Sequence, residues 1–125
     1  MKKRIPFIFI VFCIGLISCD YYYKYEYIVE NKSDTKITVE LYTKNKPAVD
    51  TLYSIPSGQS LQIYETLHGN EGARGPFFAD VKNDLTGITI KKNDSLISKR
   101  NYRKNENWEF LKGTYSTTVT NSEFD

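Results

Sequence analysis

The sequence predicts an all-β domain with the architecture of an immunoglobulin-like sandwich, built from about seven to nine short strands. Several segments alternate apolar and polar residues with the two-residue period of a half-buried strand. Residues that favour turns separate these segments at short intervals. No window of about eleven or more residues carries a 3.6-residue apolar stripe, so little helix is expected. A small β-barrel would produce a similar pattern and is the alternative fold.

The first predicted strand covers residues 21–30 and is rich in tyrosine. One face of this strand carries Tyr23, Tyr25, Tyr27 and Val29, while charged residues occupy the other face. We expect these tyrosines to lie in the core and Tyr22 to be the more exposed ring. Stacking of a carbohydrate on the aromatic faces, or contact with a lipid interface, is the alternative use of this strand.

The second predicted strand, residues 37–42, carries aliphatic residues on one face and follows a turn at residues 31–34. We expect it to pair with the first strand as a hairpin. The remaining predicted strands cover residues 52–55, 60–66, 77–81, 87–91, 95–100, 108–112 and 114–120. Turn residues at 56–58, 69–76, 83–84, 93–94 and 105–107 separate most of them.

The N-terminal segment has the organisation of an export signal. Three basic residues at positions 2–4 precede an apolar run from Ile5 to Ile17, which is shorter than the roughly 20 residues that a membrane-spanning helix needs. The run ends in Leu16, Ile17, Ser18 and Cys19. We therefore expect residues 1–18 to be a signal peptide and residues 19–125 to form one domain.

The segment from Leu16 to Cys19 resembles the lipobox of bacterial lipoproteins. The resemblance implies that Cys19 carries a diacylglyceryl group and, after cleavage, an amide-linked acyl chain such as palmitate. Residues 25–33 and 55–59 look like the corresponding segments of small lipoproteins from Gram-negative gut-type bacteria. This likeness implies a sandwich domain at the outer membrane. Because Asp20 is followed by tyrosines instead of an acidic cluster, the periplasmic face is favoured over the cell surface.

Charge and cysteine content change when the signal is removed. The full chain has 17 basic and 15 acidic residues, and the signal contains three of the basic ones, so residues 19–125 carry a net charge of −1. Nucleic acid is therefore not an expected partner. Cys13 lies in the signal and Cys19 is the predicted lipid attachment site, so the fold must be held by packing without a disulfide.

The long turn at residues 69–76 is the first choice for a binding loop. Its candidate contact residues are His68, Asn70, Glu71 and Arg74. An enzyme would need His68, Glu71 and Asp80 to converge in a cleft. The spacing selects no such set, and we expect no catalytic residues, no cofactor and no enzyme activity.

Oxygen-bearing side chains follow the predicted strand at residues 77–81. Asp80, Asn83 and Asp84, together with Asp94, could offer ligands to calcium. The pattern does not match an EF-hand loop, and ordinary polar turns are the preferred interpretation. No metal site is therefore predicted.

Two further surface features are candidate sites. Lys99, Arg100, Arg103 and Lys104 form a basic run that could contact anionic lipid headgroups or an acidic glycan, the alternative being a solvated loop. Two tripeptides of the form Asp, Ser or Thr, aliphatic residue are candidates for O-glycosylation, at Thr51 and at Ser95.

These features predict a membrane-anchored, non-enzymatic binding or interaction module of the cell envelope. Its partner would be a protein or a glycan contacted by loops at one end of the sandwich. The alternatives are an envelope inhibitor or immunity protein and a structural subunit of an outer-membrane complex that uses exposed strand edges. An enzyme is the least favoured alternative.

Overall fold

The computed structural model describes residues 20–43, 46–71 and 75–125, and for residues 20, 46–51, 70 and 71 it describes the backbone alone. The predicted signal peptide, Cys19 and Arg74 lie outside these residues. The strands are β1 (Asp20–Asn31), β2 (Ile37–Thr43), β3 (Lys46–Ile55), β4 (Ser60–Glu71), β5 (Leu85–Lys92), β6 (Leu96–Ile97), β7 (Glu109–Leu111) and β8 (Thr114–Val119). One helix, α1 (Val81–Asp84), precedes β5, and 3₁₀ turns occur at Asn105–Asn107 and Asn121–Phe124.

The eight strands form two packed four-stranded sheets. One sheet has the order β4-β1-β8-β7 and the other β3-β2-β5-β6. The pairing of β1 with β8 is parallel, and the other described pairs are antiparallel. The predicted all-β sandwich of seven to nine short strands is confirmed, and its strand order differs from the ABED and CFG order of antibody domains.

The core lies between the sheets and follows the predicted alternation. Tyr25, Tyr27 and Val29 of β1 are buried, and they face the buried aliphatic side chains of β2 across the interior. Tyr23 packs against this core from its margin, whereas Tyr22 is 70 % exposed, as the sequence predicts. Tyr27 and Tyr115 stack at 4.6 Å between ring centroids. Large rings therefore fill the centre of a small domain.

The predicted hairpin between the first two strands is wrong, because β1 and β2 lie in opposite sheets. Asn31, at the end of β1, redirects the chain: its side-chain amide donates hydrogen bonds to the carbonyl groups of Thr35 and Ile55, at 2.8 and 2.9 Å. Its side-chain oxygen accepts from the Ser33 backbone and hydroxyl. Both strands thereby bury their apolar faces against each other instead of lying side by side.

The predicted strand at residues 77–81 is also wrong. Residues 76–80 form no strand, and α1 begins at Val81 and includes the residues predicted as a turn at 83–84. In this segment the backbone forms hydrogen bonds with tyrosine hydroxyl groups instead of with a neighbouring strand. Tyr25 donates to the carbonyl of Phe77 at 2.8 Å, and the Tyr115 hydroxyl both accepts from and donates to the backbone of Ala79.

A β-bulge changes which residues of β4 face the core. The register with β1 shifts between Tyr27 and Ile28, which leaves Ile63 as the extra residue of β4. Simple alternation through Ile63 would direct Leu67 inward and His68 outward. The bulge reverses this, so that Leu67 is 67 % exposed and His68 lies opposite Tyr23 on the inner face.

Candidate functional site

A buried carboxylate joins the two sheets at the end of the sandwich where β1 begins. Asp84, the last residue of α1, accepts a 2.5 Å hydrogen bond from the Tyr27 hydroxyl through Oδ2. Its Oδ1 lies 2.7 Å from Nε2 of His68. The Asp84 side chain is 4 % exposed. We call Tyr27, His68 and Asp84 the Asp84 centre.

Three local features bring the Asp84 centre together. The β4 bulge turns His68 inward, and the edge of the Tyr25 ring faces the imidazole at 4.8 Å. Asp80 caps α1 by accepting a hydrogen bond from the Lys82 backbone at 3.2 Å. The single turn of α1 then presents Asp84 to the interior, directly before β5 begins.

An imidazole beside a carboxylate is the pair that general-base catalysis uses, but its placement here favours a structural role. Nε2 of His68 is buried and lies 2.7 Å from Oδ1 of Asp84, although the contact does not meet hydrogen-bond geometry. Asp80, which with Glu71 was considered from the sequence as a partner of the histidine, caps α1 instead. The Asp84 centre therefore links the sheets within the interior.

Three tyrosines have raised pKa values, each chiefly because of burial. For Tyr27 the Asp84 carboxylate adds to the effect of burial, and for Tyr102 the Glu123 carboxylate does so. Burial raises the pKa of Tyr115 to about 12, even though its hydrogen bonding to Ala79 opposes the shift. All three phenols stay neutral where an ordinary tyrosine ionises.

These shifts predict a loss of stability at alkaline pH. Because the phenols have an ordinary pKa of 10.0 in the unfolded chain and a higher one in the fold, the stabilisation is complete below pH 10.0 and is lost as pH rises above it. Urea midpoints across this range, with tyrosinate absorbance, measure the loss. The exposed Tyr22→Phe variant serves as control and should lose stability in parallel. A midpoint that stays constant above pH 10.0 would contradict the prediction.

The residues of the predicted binding loop lie mainly in strand β4. His68, Asn70 and Glu71 pair with Tyr23, Tyr21 and Asp20 of β1, so the turn predicted from residue 69 is wrong for residues 69–71, while the binding role of these side chains stays a prediction. The reason is that the tyrosine-rich start of β1 extends the ladder to Asp20. Arg74 lies outside the described residues.

The four candidate calcium ligands do not converge. Asp84 contacts Tyr27 and His68, while Asp94 sits near the opposite end of the second sheet, where it accepts a 2.6 Å hydrogen bond from Thr38. This hydrogen bond from Thr38 lowers the pKa of Asp94, and Lys36, 3.5 Å from the same carboxylate, lowers it further. Among the described residues, no group of three or more histidine, cysteine, aspartate or glutamate side chains could hold a metal ion.

The four residues of the predicted basic patch have different surroundings. Arg100 pairs with the buried Glu123 at 2.7 Å, and Arg103 donates through Nε to the Leu85 carbonyl at 3.1 Å. Lys104 lies 3.9 Å from Glu106, and Lys99 is exposed. Two of the four cations thus bind groups of the fold, and the surface role stays a prediction.

A polar cleft opens beside the last strand because β7 is short. β7 pairs with β8 only as far as Ser116, and beyond that point Arg100 donates to the Thr118 carbonyl at 3.1 Å. The cleft between these elements has a volume of about 340 Å³. We call it the β8 cleft; its lining includes Arg100, Glu106, Trp108, Glu109, Ser116 and Thr118.

The lining of the β8 cleft offers both hydrogen-bond donors and hydrogen-bond acceptors. Ser116 and Thr118 supply hydroxyl groups, while the exposed Glu106 and Glu109 supply carboxylates. Trp108 fixes the wall, since its Nε1 donates to the Tyr102 carbonyl at 2.6 Å and its ring packs on Tyr27. Such a lining suits a polar ligand rich in hydroxyl or amide groups.

Among the residues that line the β8 cleft, only Arg100 is a candidate site residue predicted from the sequence. The sequence pattern that could have predicted other lining residues is the alternation at residues 114–120. There Thr114, Ser116 and Thr118 share the outer face, and Tyr115 points inward. Hydroxyl side chains on one face of a strand are typical of any solvated sheet surface. The short partner strand, which creates the cleft, has no signature of its own.

The two predicted glycosylation positions have different settings. Thr51 lies within the edge strand β3 and pairs with Leu41 of β2. Ser95 lies in an exposed turn, where its backbone N–H donates a hydrogen bond to the Lys92 carbonyl. An enzyme can reach Ser95 without opening a strand pair. Modification at both positions stays a prediction.

Comparisons with protein-family models, with curated proteins and with solved structures find no match to this chain. In the part of the chain that the structure describes, no helix is long and apolar enough to cross a membrane.

Proposed function

We propose that the chain is a lipid-anchored, non-enzymatic interaction module of the bacterial cell envelope. The observation that carries the proposal is the sequence from Leu16 to Cys19 directly before β1. A diacylglyceryl thioether together with an amide-linked acyl chain gives stable attachment, which a single chain does not. The module is then held at the membrane with almost no linker, since Asp20 already belongs to β1.

The β8 cleft is the proposed binding surface. It lies far from the anchor along the strands, because Ser116 and Thr118 are level with Ile28 and Glu30 of β1. At about 3.4 Å per residue, these positions are about 27–34 Å from Asp20. A partner in the periplasm would therefore reach the cleft without approaching the bilayer. Its hydroxyl and carboxylate groups support a polar protein segment or a glycan as the ligand.

The anchor is tested by replacing Cys19 with Ser in the full chain. We expect the variant to move from the membrane fraction to the soluble periplasmic fraction, because serine offers no thiol for the diacylglyceryl group. Cys13→Ser changes the other cysteine, within the signal, and should leave the protein in the membrane fraction. A Cys19→Ser protein that still partitions with membranes would overturn the anchor.

The binding surface is tested by photo-crosslinking in intact cells. A photoreactive amino acid at Glu109 should capture a defined partner, and one at Thr86, on the exposed outer face of β5, should not. Ser116→Lys should abolish capture by filling the cleft, while Thr114→Lys, on the same strand face but outside the lining, should preserve it. Equal capture from Glu109 and Thr86 would contradict the assignment of the cleft.

The position of β4 at the edge of its sheet, among the strands that the structure describes, favours a structural subunit as a second candidate function. β4 is a twelve-residue strand at the margin of its sheet, and such an edge can pair with a strand of another protein. A photoreactive residue at Gln62, exposed on β4, distinguishes the two functions. Capture of a protein from Gln62, without capture from Glu109, would favour the structural subunit.

A further inference from the structure

We propose that the sandwich itself rests on the lipid surface, through an apolar rim at the end where β1 begins. The inference rests on the proposed lipid anchor at Cys19. It goes beyond the anchor because it assigns a contact, and hence an orientation, to the folded domain. We define the apolar rim by its exposed side chains, which are Tyr22, Leu67, Phe77, Phe78 and Leu111.

The rim concentrates apolar side chains that water would otherwise surround. Tyr22, Leu67 and Leu111 are 70 %, 67 % and 72 % exposed, and the two phenylalanines are about half exposed. Among the described residues, nine large hydrophobic side chains are exposed, and five of them belong to the rim. Single exposed apolar residues need no explanation, but a group at one end of a domain marks a contact surface.

Strand register places Tyr22 and Leu67 together at this end. Leu67 pairs with Lys24 and Gly69 pairs with Tyr22, so the tyrosine and the leucine are diagonal neighbours on the outer face of the sheet. The Tyr22 ring also lies across Gly69, whose missing side chain leaves room for it: a Cβ there would be 3.0 Å from the ring.

The other rim residues reach the same end through the turn between β7 and β8. A Cβ on Gly113 would lie 2.8 Å from the Lys24 carbonyl oxygen and 3.5 Å from Pro76. Thr114 pairs with both Glu26 and Leu111, so Leu111 lies level with Glu26 on the outer face of the sheet. Phe77 follows Pro76, and its carbonyl accepts from the Tyr25 hydroxyl. Phe78 packs edge-on against Phe110 at 5.6 Å.

The position of the anchor identifies lipid as the occupant of the rim. Asp20 is covalently bonded to Cys19, so no linker separates the acyl chains from β1. At about 3.4 Å per residue, Tyr22 lies within about 10 Å of Cys19 and the level of Leu67 within about 17 Å. The interfacial zone of a bilayer is about 5–8 Å deep on each side, so a tilted domain places the rim in or against it.

The chemistry of the rim fits the membrane interface. Tyrosine is enriched where headgroups meet the hydrocarbon, because its ring is apolar and its hydroxyl can remain hydrated. Lys112 is exposed beside Leu111, and its ammonium group can contact lipid phosphate groups when the rim lies at the interface. Burial of these side chains in the interface adds a favourable term to the attachment that the acyl chains provide.

Photo-crosslinking with the full-length lipoprotein in intact cells tests this contact. A photoreactive amino acid is placed at Tyr22, at Leu67 or, as a matched apolar control, at Leu96. Leu96 is 50 % exposed and pairs with Lys92, at the opposite end of the sandwich. We expect several-fold more phospholipid or lipopolysaccharide adduct from positions 22 and 67 than from position 96, measured by mass spectrometry.

The possible outcomes separate this inference from the anchor on which it depends. Equal lipid adducts at positions 22, 67 and 96, or protein adducts alone at 22 and 67, would overturn the rim contact. If Cys19→Ser releases the protein and the rim nevertheless captures no lipid, the anchor stands and only the rim contact fails. If Cys19→Ser remains in the membrane fraction, the anchor itself fails, whatever the rim captures.

Discussion

Replacing Asp84 with Ala is expected to lower the free energy of unfolding by about 1.5–3 kcal/mol, the range for losing a buried hydrogen bond to a charged group. The substitution leaves the Tyr27 hydroxyl without its acceptor and His68 without its nearby carboxylate. The Tyr27 side chain is buried and so is Nε2 of His68, so solvent compensates poorly for the lost contacts. The Asp84 centre therefore contributes more to stability than any single exposed ion pair.

Urea unfolding followed by the fluorescence of Trp108 measures this loss, since Trp108 is the only tryptophan and is buried. Asp84→Asn should cost less than Asp84→Ala, because the amide oxygen still accepts from Tyr27. Asp80→Ala, which removes only the cap of the neighbouring helix α1, should cost about 1 kcal/mol. Equal losses for Asp84→Ala and Asp80→Ala would show that the buried contacts contribute little.

Replacing Gly113 with Ala is expected to cost roughly 2–4 kcal/mol, because backbone strain and a backbone collision combine. Gly113 has a φ of +87°, in the region that favours glycine. The added Cβ would lie 2.8 Å from the Lys24 carbonyl oxygen. Relief of that collision requires movement of β1 or of the Gly113 backbone, whose carbonyl accepts from the Glu26 N–H at 3.0 Å.

Gly58 supplies the matched control for this substitution. It has a similar φ of +79°, but a Cβ there would meet no atom within 4 Å. Gly58→Ala therefore isolates the backbone strain and should cost about 1 kcal/mol. Urea midpoints of the two variants measure the difference. If Gly113→Ala proves no more costly than Gly58→Ala, the close approach of the β7–β8 turn to β1 is incorrect.

Much of the fold could be predicted because burial on one face of a strand leaves a two-residue period in the sequence. In β1, β2 and β8, buried side chains recur with this period, and they include Tyr25 of β1 and Val119 of β8. Which strands pair with each other leaves no comparable pattern in the sequence. The hairpin prediction fails because β1 and β2 have equally apolar faces, which suit face-to-face packing as well as adjacent pairing. The hydrogen bonds of the Asn31 side chain stabilise the turn that the face-to-face arrangement requires.

The candidate sites were harder to predict, because single insertions and missing strand partners decide them. Alternation through β4 gives no warning that the extra residue Ile63 will turn His68 toward Asp84, sixteen residues later in the chain. The β8 cleft depends on β7 having only three residues and beginning at Glu109, opposite Ser116. By contrast, the exposure of Tyr22 follows directly from alternation, since the adjacent Tyr21 and Tyr23 point to the other face.

The parallel pairing of β1 with β8 gives the domain a mechanical property. A tension applied between Asp20 and a partner held at β8 runs along both strands, and the hydrogen bonds joining them run across that direction. The load is therefore shared by the whole ladder from Glu26 to Asn31, instead of opening one bond after another from an end. A domain tethered at one terminus and pulled at the other would resist in shear, the stronger of the two ways to load a sheet.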